Sequence, residues 1–349
     1  MDPFISVIVT AYQYRPYIVE ALESVANQDL DKEKYEVIVV ANYDESQISK
    51  YLRSNWKFIQ SKNRWIGAKV FNALKESSGE VIVFLEDDDL FESHKLRTIY
   101  NIFREKPKLG FYRHKVRIIN EYGTEATLPK SLFDSQKILI HKQQCDLKAS
   151  YLMVFKNRGG YASVSSIAMR RELLEQYSNY LRQIRLAIDS FYLIISFLSE
   201  YDMLFDNIIL GKYRLQKQSA SSYLIDFNNF INNYFFKYLN LCKDHQINYW
   251  LAKGSDIEEF TFFDYVFSKI MFKLFITPTS KKNYCYDECC KMSFYEILRI
   301  LDNPYAEDTL KTFVLGIATY LPFKLRKIIL RKIYDYRLNM YNKLFNHKA

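Results

Sequence analysis

The stretch VIVFLEDDDLF, residues 81–91, runs five apolar residues, Val81 to Leu85, straight into Glu86, Asp87, Asp88 and Asp89. Adjacent like charges repel, and strands disfavour Asp, so such an ending needs a reason. In an open parallel sheet, ligands bind beyond the carboxyl ends of the strands. A strand that ends here delivers its carboxylates to that rim. Side chains alternate along extended chain, which predicts Glu86 and Asp88 on one side and Asp87 and Asp89 on the other. Paired carboxylates of this kind are a hard-oxygen site for Mg²⁺ or Mn²⁺, and Asp88 and Glu86 are the candidate metal ligands. A solvated acidic loop capping the helix that starts near Ser93 is the plainer alternative. The Gly and distal Glu of an EF-hand are missing, and neither GxxxxGK[ST] nor GxGxxG occurs.

Working outward, short Val/Ile runs alternate with amphipathic stretches over the first ~110 residues. Ile5–Thr10, Glu36–Val40, Phe58–Ile59 and Glu80–Leu85 read as strands, and Tyr17–Asn27 and Ala68–Glu76 as helices. Near-continuous apolar strands separated by helices predict an α/β sheet, mostly parallel and flanked by helices. Further on, Gly110–Ile119 and Tyr161–Met169 read as strands, the second leading into a helix over Arg171–Tyr180. From about Tyr223 Gly becomes scarce. Long aromatic amphipathic segments at Phe227–Leu241, Ile257–Phe275, Phe294–Leu301 and Leu310–Tyr341 predict an all-helical C-terminal region. The expected division is a catalytic domain over 1–225 and a helical region over 226–349.

These motifs together resemble a known family. SVIVTAY (6–12), ALESVANQ (21–28), YEVIVVANYDES (35–46) and SSGEVIVFLEDDDLF (77–91) look like the start of a family 2 glycosyltransferase of GT-A fold, a Rossmann-like architecture. GGYASVSSIAMRRELL (159–174) and AIDSFYLIISFLSEYDMLFDNIILGKYRLQKQSAS (187–221) are similar to its acceptor-side strand and closing segment. The resemblance spans about residues 4–222. It implies an inverting, metal-dependent transfer of a sugar from a nucleotide-sugar donor to a glycan or lipid-linked acceptor, with the acids as a DxD-type motif. Departures are visible. Glu86 stands where Asp is usual, and Ala41, followed by Asn42, stands where the family places a nucleotide-binding Asp. An acidic pair has become Ile188-Asp189, and Gln216 replaces a late His.

The resemblance makes Asp189 the catalytic base, although an Asp at this place also suits a helix start. It assigns the donor to Thr10, Ala11, Tyr12, Asn42, Asp44, Lys69, Glu86, Asp87 and Arg214. Each has a plain alternative: a packed ring for Tyr12, an exposed helix position for Lys69, an internal ion pair for Arg214. Asp89 would orient its neighbours, and His114, Trp65 and the Tyr161 region border the expected site. Two other readings compete. A nucleotidyltransferase would show a Gly-rich basic loop after the first strand, which TAYQYRPY lacks; a degenerate, membrane-bound binding scaffold would not need to keep four acids.

Composition bounds the setting. The chain of 349 residues is 49% hydrophobic and 26% charged, an ordinary globular balance, with an aromatic content of 17%. Of its net charge of +9, most sits after Pro322, where eight bases face Asp335 alone. Lys324–Phe345 has the composition of an interfacial helix on anionic lipid, and FTFFDYVFSKIMFKLF (260–275) would lie in the interface in the same way; packing in a helical core explains both stripes equally well. No nucleic-acid-binding fold is recognisable. No signal peptide is expected, since an apolar strand begins within a few residues of Met1, and no uncharged run reaches the ~18 residues of a span. Five reduced cysteines without zinc spacing complete the expectation of a cytoplasmic protein, peripheral at the inner face of the membrane.

Overall fold

The computed structural model describes residues 3–126, 137–156, 163–216, 226–280, 289, 291–302 and 306–345. Tyr161, singled out above, and Cys285 and Cys290, two of the five cysteines, lie outside the described residues. The chain forms two compact units, 1–215 and 216–349.

The N-terminal unit is one mixed sheet with helices. Its strands are β1 (Ile5–Thr10), β2 (Tyr35–Ala41), β3 (Lys57–Gln60), β4 (Val81–Glu86), β5 (Leu90–Phe91), β6 (Leu109–Ile119), β7 (Ile138–Ile140), β8 (Ile167–Arg170) and β9 (Asp202–Arg214). The order is β3-β2-β1-β4-β8-β6-β9-β5, with β7 on β9. The first four strands run parallel, as their continuous Val/Ile content predicts, and every residue of β1 and β2 is buried. The reversal comes at β8, which is antiparallel to both β4 and β6. The expected strand 161–169 is therefore shorter: a 3₁₀ turn over Val164–Ser166 precedes β8.

Helices α1 (Tyr17–Ala26), α2 (Ile66–Glu76), α3 (Lys95–Glu105) and α4 (Leu147–Lys156) come first. The expected helix 171–180 is broken at Tyr177 into α5 (Arg171–Gln176) and α6 (Ser178–Leu181), and α7 (Ile188–Leu198) follows. Register fixes the functional rim. Thr10 lies opposite Val40 on one side and Glu86 on the other, so β1, β2 and β4 end level. At Gly67 a Cβ would come within 2.0 Å of the Leu181 carbonyl oxygen and 2.7 Å of that of Ile184, so only glycine lets α2 lie this close to the segment leading to α7.

The C-terminal unit contains α8 (Phe227–Ala252), α9 (Glu258–Phe275), α10 (Phe294–Arg299), α11 (Ala306–Ala318) and α12 (Phe323–Phe345). Asp226 starts α8 by accepting the Asn228 and Asn229 N–H groups at 2.8 and 2.9 Å. The interfacial expectation for 260–275 is corrected here. Phe260, Phe262, Phe263, Phe272, Leu274 and Phe275 are all buried, so α9 is a core helix whose apolar residues pack on α8. In α12, Leu330 and Tyr334 are buried and Ile329 and Ile333 pack on the same core, while Leu325, Ile328 and Tyr336 are exposed. Among the described residues no helix is long and apolar enough to cross a membrane.

Candidate active site

Of the four acids, Glu86 closes the strand and the three Asp residues do not continue it. β4 stops at Glu86, and the Asp89 N–H donates back to the Glu86 carbonyl at 3.2 Å, a tight turn. The expected alternation survives as exposure: Asp87 and Asp89 are buried, while Glu86 and Asp88 are partly open. Asp89 looks inward. It accepts Ser163 Oγ–H at 2.6 Å and the Arg214 N–H at 2.9 Å, tying the acidic turn to the segment before β8 and to the end of β9. Burial raises its carboxyl to about 7, with Asp88 adding to the effect.

Arg15, in the loop after β1, compensates the two middle acids. Its guanidinium bonds Asp87, and Nη1 lies 3.2 Å from Asp88 Oδ2. Burial still pushes Asp87 up to about 6, against the lowering effect of Arg15. Glu86 is raised well above the carboxylate range, first by burial and then by Asp89, Asp88, Asp87 and Asp189. Asp189, half-buried in the first turn of α7, is thus an electrostatic neighbour of the acids although it lies far along the chain. The Glu86 N–H donates to Ser165 Oγ at 2.9 Å, which fixes the strand end.

The remaining candidates fall into three places. At the β1 rim, Lys69 reaches from α2 to the Ala11 carbonyl at 2.7 Å, lies 5.2 Å from the Tyr12 ring centroid and is buried rather than exposed on its helix. Burial lowers its ammonium to about 8, and Asp87 opposes the shift. Tyr12 is exposed beside it, and Thr10 closes the strand beneath.

At the β2 rim, the Asn42 amide donates to the carbonyls of Ser61 at 2.6 Å and Asn63 at 2.9 Å. Both partners are carbonyls, so the NH₂ must face them, and Oδ1 is left buried without a donor. Asp44 is exposed and accepts the Ser46 N–H at 2.9 Å as a local cap.

Arg214 is elsewhere. Its side chain has 0% exposure; Nε donates to the Asp88 carbonyl at 2.9 Å, Nη1 to that of Glu121 at 3.2 Å, and Nη2 to Glu20 at 2.7 Å, with Tyr17 against its plane. The ion-pair alternative describes it: Arg214 braces the acidic turn from behind instead of presenting its fork to a diphosphate.

Sequence reasoning missed Arg15, Ser163 and Ser165. Only charge compensation pointed to Arg15, as the one base in the loop TAYQYRPY above four acids. His114 is buried in β6, with Nδ1 2.7 Å from the Lys115 carbonyl. Trp65, at the start of α2, carries the Arg64 and Arg185 guanidiniums 4.1 and 5.3 Å from its ring centroids.

A divalent cation is implied by acids in this arrangement. The donor atoms are of the right kind: Glu86, Asp87 and Asp88 offer hard oxygens, and burial raises their affinities for protons, which Arg15 opposes at Asp87 and Asp88. Among the described residues no group of three or more His, Cys, Asp or Glu side chains is placed to hold a metal ion by itself.

A mixed sheet whose parallel half ends in an acidic turn, with helices over it, defines a GT-A-like fold. Solved structures share it: that of S. aureus TarS 1-349 in complex with UDP-GlcNAc aligns with a TM-score of 0.52 at 17% identity, covering 95% of this chain and 92% of that one. The mannosyltransferase PcManGT of Pyrobaculum calidifontis, in complex with GDP-Man and Mn²⁺, aligns at 0.50 and 13% identity, covering 100% and 89%. Residues 6–177 match Glycosyl transferase family 2, and the N-terminal unit belongs to that family. Among curated relatives, an uncharacterized glycosyltransferase of Nostoc sp. is 28% identical over 49% of this chain and 52% of its own length. A poly(ribitol-phosphate) beta-glucosyltransferase of Bacillus spizizenii is 31% identical over 37% of this chain and 21% of its own. The chain thus spans about half of the first relative and a fifth of the second.

Proposed function

We propose that this chain is an inverting, metal-dependent glycosyltransferase that moves a sugar from a nucleotide-sugar donor to a glycan or lipid-linked acceptor at an anionic membrane surface. One observation carries the reading: Asp189 on α7 and the turn Glu86–Asp88 form a single electrostatic cluster at the rim where β1 and β4 end. In this reading Asp88 and Glu86 would hold Mg²⁺ or Mn²⁺, which when bound would offset charge on the leaving diphosphate. Asp87 and Glu86 face the donor sugar and ribose. Lys69 and Arg15 supply positive charge near the phosphates, and Tyr12 offers its exposed ring to the base. Asn42 Oδ1 has the free acceptor that a base N–H would satisfy, with Thr10, Ala11 and Asp44 lining the same edge.

Asp189 takes the acceptor hydroxyl proton as that oxygen bonds to the anomeric carbon; the bond from this carbon to the diphosphate breaks on the opposite side, and the nucleoside diphosphate departs. The Trp65 ring with Arg64 and Arg185, close in sequence to Asp189, suits an acceptor that carries phosphate, as the names of the poly(ribitol-phosphate) transferases suggest for those proteins.

The test is thermal stabilisation by UDP, GDP, dTDP and CDP, each with and without Mn²⁺. One nucleotide is expected to raise the melting temperature only with metal, and Asp88→Ala is expected to abolish the rise. If no nucleotide stabilises the protein under either condition, the transferase reading fails and the binding scaffold replaces it.

A further inference from the structure

The C-terminal unit exposes apolar residues at the corner where α11 meets α12. Along α11, Leu310, Val314 and Ile317 recur at helical spacing on an open face, with Val314 58% exposed. Tyr320 and Leu321 continue this surface through the turn, and on α12 Leu325 and Ile328 are 48% and 58% exposed. Isolated exposed Leu residues are ordinary, but a run that follows two helices and their connection is a surface built for contact.

The corner is locked in this exposed form. Arg326 is buried, and its guanidinium donates to the carbonyls of Leu274 at 2.9 Å, Ile276 at 2.8 Å and Leu321 at 3.2 Å, and to that of Lys273. It thereby caps the C-terminus of α9, where the Ile276 N–H already closes on the Lys273 carbonyl at 3.3 Å, and pins the turn to it. Folding Leu321 or Leu325 inward would break this cap.

Charge identifies the occupant. Lys324, Lys327, Arg331 and Lys332 are exposed on α12 beside Leu325 and Ile328, and the one acid among them, Asp335, is 3.4 Å from Arg331. Aliphatic side chains ringed by bases match an anionic bilayer, where cations meet headgroup phosphates and aliphatics reach the acyl boundary. A second copy docked through this face would set like charges against each other. We propose that the α11–α12 corner is the face by which this chain docks on anionic lipid. The site keeps the start of the basic helix Lys324–Phe345 expected from sequence, whereas the aromatic stripe of α9 is core and the exposed α11–α12 turn takes its place. The proposal rests on the transferase reading only for its purpose, since nucleotide binding in lipid-free buffer tests that reading separately.

The experiment is co-sedimentation of the full chain with vesicles of phosphatidylcholine alone and of phosphatidylcholine with phosphatidylglycerol. Wild type should sediment with the anionic vesicles only, and less as salt rises. Leu325→Glu with Ile328→Glu should lower the partition more than about tenfold. Lys324→Ala and Lys327→Ala should each lower it about fivefold. An unchanged melting temperature shows the variants folded; if the Glu pair melts early, Leu325→Ser with Ile328→Ser replaces it. The proposal is overturned if wild type ignores anionic vesicles, if the folded double variant binds as well as wild type, or if light scattering shows a dimer that the double variant abolishes.

Discussion

Replacing Arg15 by Ala tests how the acidic turn is kept charged. Arg15 Nη1 lies 3.2 Å from Asp88 Oδ2, and the same guanidinium bonds Asp87. At that distance one charge pair is worth about 1.3 kcal/mol in water and about 5 kcal/mol at an effective dielectric of ~20. The Arg15 side chain is 34% exposed, so solvent screening brings the net contribution to roughly 1–2 kcal/mol. A divalent cation must displace this contribution to reach the acids. Arg15→Ala should therefore bind Mn²⁺ roughly five- to thirtyfold more tightly in the absence of nucleotide. If Arg15 also serves the phosphates, the variant binds nucleoside diphosphate more weakly, so the two affinities move in opposite directions.

Titration of free Mn²⁺ by electron paramagnetic resonance reads the first affinity, and calorimetry with nucleotide at saturating Mn²⁺ the second. A pH series supplies an independent check. Asp87 is raised to about 6 in the folded protein, so its ionised form costs stability above that pH, and the cost is relieved as pH falls through about 6 toward the ordinary carboxylate range. Removing Arg15 raises that cost, so the variant's melting deficit should be larger at about pH 8 than at about pH 5. A variant that binds Mn²⁺ no more tightly than wild type, or whose deficit is the same at both pH values, would refute the view of Arg15 as a stand-in cation.

Other substitutions separate roles that the sequence left joined. Lys69 holds a proton only below about 8, so nucleoside diphosphate affinity should fall as pH rises through that value, and Lys69→Met should weaken binding near neutrality and flatten the profile in isothermal titrations. Asp189→Asn should lower the transfer rate by about 10²–10⁴-fold in a product assay while leaving nucleotide-dependent stabilisation intact; loss of both would deny it the role of base. Arg214→Met strips the half-buried Asp88 and Glu121 carbonyls and Glu20 of their partner and should cost about 2–3 kcal/mol in denaturant unfolding, against less than about 1 kcal/mol for Glu20→Gln. A fully stable Arg214→Met that loses nucleotide binding would return the guanidinium to the donor. Gly67→Ala forces a Cβ onto two backbone oxygens and should cost about 3 kcal/mol or more, read as a drop in melting temperature.

The parallel half of the sheet was legible because strands buried on both faces must be apolar throughout. β1, β2 and β4 carry that mark at every position except Ser6, Thr10, Glu36 and the terminal Glu86. The acidic ending of β4 was legible for the opposite reason, since nothing in strand physics asks for it. Less could be read where a residue's meaning depends on a distant partner. Asp88 and Arg214 look alike as polar residues near the end of a strand. The chain brings Arg214 behind the turn, where Asp88 offers it a carbonyl and Glu20 a carboxylate, and its charge is spent there. The stripes on α9 and α12 show the same limit. Helical periodicity tells that a face is apolar, but burial depends on whether α8 lies against it, and packing sends Phe272 inward while Ile328 stays in water.

Charge explains why the acidic turn can exist before any substrate arrives. Four carboxylates beside a fifth, Asp189, would not all stay ionised in a half-buried rim. The fold answers locally and incompletely. Asp89 is stabilised by Ser163 and a backbone N–H, Asp87 and Asp88 share Arg15, and Glu86 is left with neighbours of its own sign. The most frustrated group is thus the one between the turn and Asp189. Binding energy from a cation and a diphosphate can be largest there, because what they relieve has already been built in at the expense of stability. By the same logic, the rim should be the least stable part of the sheet without ligands and stiffen on loading, and hydrogen exchange at residues 86–89 would measure that directly.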